Sequence, residues 1–208
     1  MHSKKIVSFI DRVLKICVKP IFRDNNSPGN EGAETLFQWN ATQLELSRHQ
    51  MRINYTGEIC AQALYAGHKN STQSASTNQW LVAAQKEEYA HLQWCSQRLI
   101  ELGSRPSRLD PLFYVGSFIM AKGLSCLSES YNIRFIRETE KQVQEHLEEQ
   151  LPLLSHDNKS MEIVKQMILE EKQHHDEAKS RDDVAMPKVF SRIMSLCAHG
   201  MKYIVKYI

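Results

Sequence analysis

Six residues of this 208-residue chain have the types and spacing to hold two metal ions. Glu58 is followed thirty residues later by Glu88, and Glu88 by His91 in a Glu-Tyr-Ala-His step. Glu140 is followed thirty-one residues later by Glu171, and Glu171 by His174 in a Glu-Lys-Gln-His step. Residues three apart share a helix face, so each Glu-x-x-His pair can grip one ion. Four helices supplying Glu, Glu-x-x-His, Glu and Glu-x-x-His make the inward ligand set of a di-iron or di-manganese carboxylate bundle. With 17 Glu and 9 His, about 0.7 Glu-x-x-His matches arise by chance, so one match alone is weak. A preceding Glu one helical crossing away, in both halves, separates a metal site from surface Glu–His pairing. Such an oxygen-rich shell favours iron or manganese over copper or zinc. Ferrous iron held there reacts with dioxygen, and oxygenation, iron oxidation for storage and peroxide reduction all remain open.

The elements that position these residues follow from periodicity. Strand-like alternation is absent and Gly and Pro are sparse mid-chain, which predicts an all-α protein: a ferritin-like four-helix bundle with extra apolar or amphipathic helices. The first bundle helix is expected to begin between residues 38 and 46 and to run to Gly67, with Gly57 allowing a close helix contact beside the metal. A polar turn follows from Asn70 to Asn78, then a second helix from Thr77 to Leu102, stopped by Gly103 and Pro106. The third helix is expected over Tyr131 to Leu154, a turn at Asp157-Asn158, and the fourth over Lys159 to Asp183.

Three further segments stand outside the bundle. Residues 1–33 read as a basic amphipathic helix (5–22) and a linker (Asp24 to Asn30), ahead of a bundle domain over 34–208. Residues 111–127 are apolar apart from Lys122 but fall short of the about 20 needed to span a bilayer. They form either a buried crossover helix or a segment dipping into the membrane surface. Residues 189–208 gather Arg192, His199, Lys202 and Lys206 on one stripe, which predicts a helix buried by its apolar faces with a cationic edge toward lipid headgroups.

Net charge is only +2, but basic ends flank an acidic stretch over 138–183. That pattern suits anionic lipid or an acidic partner, and no nucleic-acid-binding motif is present. The five cysteines are scattered without a C-x-x-C pair, as expected of free thiols in a reducing compartment rather than a disulfide framework or zinc site. The amino terminus is not expected to be a signal peptide, because Asp11 and Arg12 interrupt its apolar run. No G-x-G-x-x-G or P-loop occurs, so reducing equivalents come from outside the chain, NADH being one candidate.

Arg52-Ile53-Asn54-Tyr55-Thr56-Gly57-Glu58-Ile59-Cys60-Ala61, Glu88-Tyr89-Ala90-His91-Leu92 and Glu170-Glu171-Lys172-Gln173-His174-His175-Asp176 resemble the main motifs of the demethoxyubiquinone hydroxylases. So do Arg105-Pro106-Ser107 and Glu138-Thr139-Glu140 ahead of His146, and the resemblance covers about residues 35–208. It implies a ferritin-like di-iron monooxygenase of ubiquinone biosynthesis, peripheral on the cytoplasmic side of the cell membrane. Two irons and dioxygen would hydroxylate the ring of a polyprenyl methoxy-benzoquinol, with other proteins of the pathway as partners. Carried over by position, the metal ligands are Glu58, Glu88, His91, Glu140, Glu171 and His174, with Glu58 and Glu140 as the bridging, catalytic carboxylates. Only one of Glu138 and Glu140 can point inward, and the interval to Glu171 favours Glu140. His146 and His175 read as supporting groups. Arg52, two turns before Glu58, is a candidate to hold a quinol oxygen or a carboxylate. The competing reading is iron oxidation or peroxide reduction of the ferritin and rubrerythrin kind, and the sequence sets no oligomeric state.

Overall fold

The computed structural model describes residues 2–17, 27–29, 39–69 and 74–207, with side chains from residue 7 onward. Seven α-helices account for nearly all of them: α1 (His2–Cys17), α2 (Ala41–Lys69), α3 (Ala75–Glu101), α4 (Asp110–Leu124), α5 (Glu129–Gln150), α6 (Asn158–Arg181) and α7 (Lys188–Val205). No strand occurs among the described residues. α2 pairs with α3 and α5 with α6, and the pairs meet through α2–α5 and α3–α6 contacts, giving the expected ferritin-like four-helix bundle. Its interior is a continuous apolar column including Met51, Ile59, Leu92, Leu99, Leu147, Ile163 and Met167.

Helix ends are set locally. Asn40 and Gln43 exchange side-chain-to-backbone hydrogen bonds of 2.9 and 3.0 Å, a reciprocal cap that starts α2. Ser74, Ser128 and Asp157 each accept from the third amide beyond them to start α3, α5 and α6. α3 closes at Gly103, whose φ of 63° lets Ser104 N donate back to Leu99 O. The third bundle helix is shorter than expected. It ends at Gln150, and a 3-10 turn covers Leu151–Leu154, because Pro152 has no amide to continue the α ladder.

Two pairings fix the register on which the site depends. Gln62 Nε2 donates to Gln85 O at 2.9 Å and Gln85 Nε2 to Gln62 O at 3.2 Å, locking α2 against α3 one turn from Glu58 and Glu88. At the far end, buried Arg98 of α3 donates to Asp157 Oδ1 (2.7 Å) and Ser160 Oγ (3.0 Å) at the start of α6.

The close helix approach expected at Gly57 is elsewhere. A Cβ at Gly57 would meet nothing, whereas one at Gly67 would lie 2.7 Å from Ala121 Cβ, so Gly67 is where α4 seats on α2. α4 buries Tyr114 and Ala121 against the bundle and leaves Leu112 and Ile119 about two-thirds exposed. α1 lies on α4, with the Phe9 ring 4.8 Å from Phe118. Residues 18–22 of the expected amino-terminal helix, and 24–26 and 30 of the expected linker, lie outside the described residues, as do 70–73 of the first turn. α7 departs from expectation. Ser191 Oγ donates to Glu138 and Lys202 Nζ meets His146 at 3.3 Å, so polar contacts pin it to α5. Its apolar residues Val189, Ile193, Leu196 and Tyr203 face outward, and only Val205 is buried.

Candidate metal centre

Glu58 projects from α2, Glu88 and His91 from α3, Glu140 from α5, and Glu171 and His174 from α6. All six are at most 3% exposed. They form two quartets whose ligand atoms lie within 4.8 Å of one another: Glu58, Glu88, His91 and Glu171, and Glu88, Glu140, Glu171 and His174. Glu88 and Glu171 belong to both, so they are the residues that two ions would share. Glu58 and Glu140, expected as bridges, belong to one quartet each. The reason is geometric: Glu88 and Glu171 sit on the two helices that also bring the imidazoles, which places them between the two rings.

The imidazoles present Nδ1 inward. His91 Nδ1 lies 3.3 Å from Glu88, 3.4 Å from Glu171 and 3.9 Å from Glu58. His174 Nδ1 lies 2.9 Å from Glu88 and 3.9 Å from Glu171. These are ion-pair distances without hydrogen-bond geometry: both Nδ1 atoms, Glu58 Oε2, both Glu88 oxygens and Glu171 Oε2 are buried without a hydrogen bond. Buried polar atoms almost always find a hydrogen-bond partner. Six that instead converge on shared space fit a pair of cations, and the carboxylate-rich donor set suits iron or manganese.

The electrostatics of the cluster agree. Burial pushes Glu58 and Glu140 well above the usual carboxylate range, reinforced by the charges of Glu88 and Glu171 respectively. Burial would raise Glu88 too, but the His174 and His91 rings hold it low. Burial would likewise discharge both rings. Glu171 and Glu88 overcome this for His174, held at about 12, and Glu170, Glu171 and Glu88 overcome it for His91. The cluster thus balances its charge with protons, which cations can replace. Tyr65, two turns beyond Glu58, donates its phenol to Glu140 Oε1 at 2.9 Å.

Glu140 rather than Glu138 is the inward carboxylate, since Glu138 turns to Gln142 and Ser191. Arg52 is not brought to the cluster. Its guanidinium donates to Arg105 O (3.0 Å) and Ser104 Oγ (2.9 Å), tying down the α3–α4 connection. His146 belongs to a hydrogen-bonded chain with Gln150 and Lys202, and His175 Nδ1 contacts Arg137 O at 3.1 Å between α5 and α6. Two residues escaped the sequence reading: Glu170 lies 2.6 Å from His91 Nε2, and Glu87 lies 2.8 Å from His174 Nε2. The signal was present, because the repeat is Glu-Glu-x-x-His in both halves: Glu87-Glu88-x-x-His91 and Glu170-Glu171-x-x-His174.

A family model described as "Ubiquinone biosynthesis protein COQ7" matches residues 45–204. The chain is 39% identical over 193 residues to the 3-demethoxyubiquinol 3-hydroxylase of Francisella philomiragia subsp. philomiragia, covering 92% of this chain and 90% of that protein. It is 38% identical over 198 residues to the 3-demethoxyubiquinol 3-hydroxylase of Francisella tularensis subsp. novicida, covering 91% and 93%.

Proposed function

We propose a function from one premise: the chain belongs to the COQ7 family of ubiquinone biosynthesis proteins. It is an oxidoreductase of the 3-demethoxyubiquinol 3-hydroxylase type, adding a hydroxyl to the ring of a polyprenyl quinol. The observation that carries the finer reading is the pair of buried quartets sharing Glu88 and Glu171. In this reading Glu58, Glu88, His91 and Glu171 hold one iron, and Glu88, Glu140, Glu171 and His174 the other. When bound, the irons supply dioxygen activation, with an external reductant such as NADH.

The residues of the chain do the remaining work. Glu88 and Glu171 would be shared by the two ions, with Glu58 completing one shell and Glu140 the other. The Tyr65 phenol steadies Glu140, and the apolar column around Met51, Ile59, Leu92 and Met167 keeps bulk water from the centre. Among the described residues no helix is long and apolar enough to cross a membrane. The outward apolar residues of α4 and α7 support peripheral attachment to the cytoplasmic side of the membrane, where a polyprenyl substrate resides.

The test is to load the protein anaerobically with ferrous iron, add a demethoxyquinol analogue, a reductant and air, and follow the quinone by mass. A gain of one oxygen that Glu171→Ala abolishes is the expected result. Iron oxidation without an oxygenated quinone would favour the ferritin or rubrerythrin reading.

A further inference from the structure

We infer that Glu87 and Glu170 are crossed positioning residues, each fixing the imidazole of the opposite helix so that Nδ1 is the metal donor, and that this makes the two metal subsites unequal. The inference rests on the two-ion reading of the cluster. Glu170 of α6 meets His91 Nε2 of α3 at 2.6 Å, and Glu87 of α3 meets His174 Nε2 of α6 at 2.8 Å. An ionised carboxylate only accepts hydrogen bonds, so Nε2 keeps its proton in each ring, and Nδ1, which faces the cluster, is the nitrogen whose proton a cation would replace. Both Nδ1 atoms are among the buried atoms without a hydrogen bond, as metal donors should be before binding. A carboxylate on the outer nitrogen holds the ring orientation and raises the basicity of the inner one.

The crossing has a structural consequence. α3 and α6 carry all of the Glu-x-x-His chemistry, yet they touch each other far less than either touches its hairpin partner. The two Glu–His contacts are therefore cross-links between the helices that must stay in register for Glu88 and Glu171 to be shared. They are not equivalent. Glu170 is 27% exposed, and its second oxygen accepts from Gln166 Nε2 at 2.6 Å. Glu87 is 51% exposed. The His91 ring is clamped by an anchored carboxylate, and the His174 ring by one that water can compete for. The subsite of Glu58 and His91 should fill first and hold its ion more tightly.

The experiment is anaerobic titration of the metal-free protein with cobalt(II), followed by its visible d–d absorption, for the native chain, Glu87→Gln and Glu170→Gln. Gln keeps the shape of the side chain and removes its charge. The native chain should take up two ions in resolved steps. Glu170→Gln should weaken the first by about 10- to 100-fold, and Glu87→Gln should weaken the second by less. In the zinc-loaded native protein, imidazole nitrogen chemical shifts should show Nδ1 bound to metal and Nε2 protonated in both rings. This second measurement stands even if a variant misfolds. Two cobalt ions bound as tightly by both variants as by the native chain would overturn the inference and leave the metal reading intact. Nε2 coordination in the zinc form would also overturn it. A native chain that takes up no cobalt would remove both.

Discussion

Ten residues after its first ligand glutamate, Glu58 or Glu140, the α2–α3 half places His68 and the α5–α6 half places Gln150. Gln150 is buried and satisfied: it exchanges hydrogen bonds of 2.7 and 2.9 Å with Asn54 and meets His146 at 2.7 Å. His68 is fully buried, and neither ring nitrogen has a hydrogen bond. The neighbouring Asn132 amide favours its charged form slightly without hydrogen-bond geometry, and Asn132 Oδ1 is itself unpartnered. Nine residues after the first glutamate, Gly67 in α2 admits α4, whereas Glu149 in α5 is exposed. The halves therefore agree in the layer of the ligands and diverge within three turns of it. Repetition is confined to the buried cluster and its Glu-Glu-x-x-His steps, and the flanks are built differently.

The largest effect should separate shared ligands from terminal ones. Glu88→Gln or Glu171→Gln removes a group common to both quartets. Each should abolish binding of both ions and lower hydroxylation by more than the about 100-fold that an outer partner costs. Glu58→Gln or Glu140→Gln should leave one ion bound. Anaerobic iron titration reads the stoichiometry, and a full pair of ions in Glu88→Gln would break the assignment of the bridges.

This division also marks how far the sequence could be read. The six inward residues were legible because Glu-x-x-His at helical spacing, repeated with a matching upstream Glu, seldom arises except around a pair of metal ions. Which of them bridge was not, because that depends on how four helices cross. Glu87 and Glu170 show in the sequence as a repeated Glu-Glu-x-x-His, but an acid beside an acid in a charged helix looks like a solvated face until the opposing imidazole is in place. Gly57 and Gly67 lie in the same helix, and no local signal says which of them meets α4. The orientation of α7 was misread for a related reason. An amphipathic pattern defines two faces, and the one turned inward carries Ser191 and Lys202, in contact with α5, together with Met194 and Val205.

The next effect concerns the stranded imidazole. Burial lowers His68 to about 4 from an ordinary 6.5. The unfolded chain therefore binds the additional proton between those values, and stability must fall as pH drops through that window. At about 1.36 kcal/mol per unit, the loss approaches ~3 kcal/mol. Asp110, raised by burial to about 6, works in the opposite sense, and His146, lowered to about 4, in the same sense. Both are common to a His68→Gln variant, so the difference between the two denaturation curves isolates His68. The native protein should lose its advantage over the variant progressively from pH 6.5 to 4. Parallel curves would show that the ring is already hydrated or paired.

The glycines offer a contrast within one helix. Gly67→Ala forces a Cβ to 2.7 Å from that of Ala121 and should cost about 1–3 kcal/mol by prying α4 from α2. Gly57→Ala meets nothing and should stabilise α2 by up to about 1 kcal/mol in thermal unfolding. Equal effects at the two positions would mean that α4 is not seated as described.

The smallest effect is at Tyr65, where the two halves differ in what supports a ligand glutamate. Seven residues after the first glutamate the α2–α3 half has Tyr65, which donates to Glu140, and the α5–α6 half has Leu147, which can donate nothing to Glu58. Glu140 is thus restrained in the metal-free protein while Glu58 keeps one oxygen without a partner. Removing the phenol with Tyr65→Phe should cost about 1 kcal/mol of stability. Its effect on metal should fall on the ion bound by Glu140 and His174 and spare the one bound by Glu58 and His91. A stepwise cobalt titration resolves the two, and an equal loss at both subsites would mean that Tyr65 acts on the bundle as a whole rather than through Glu140.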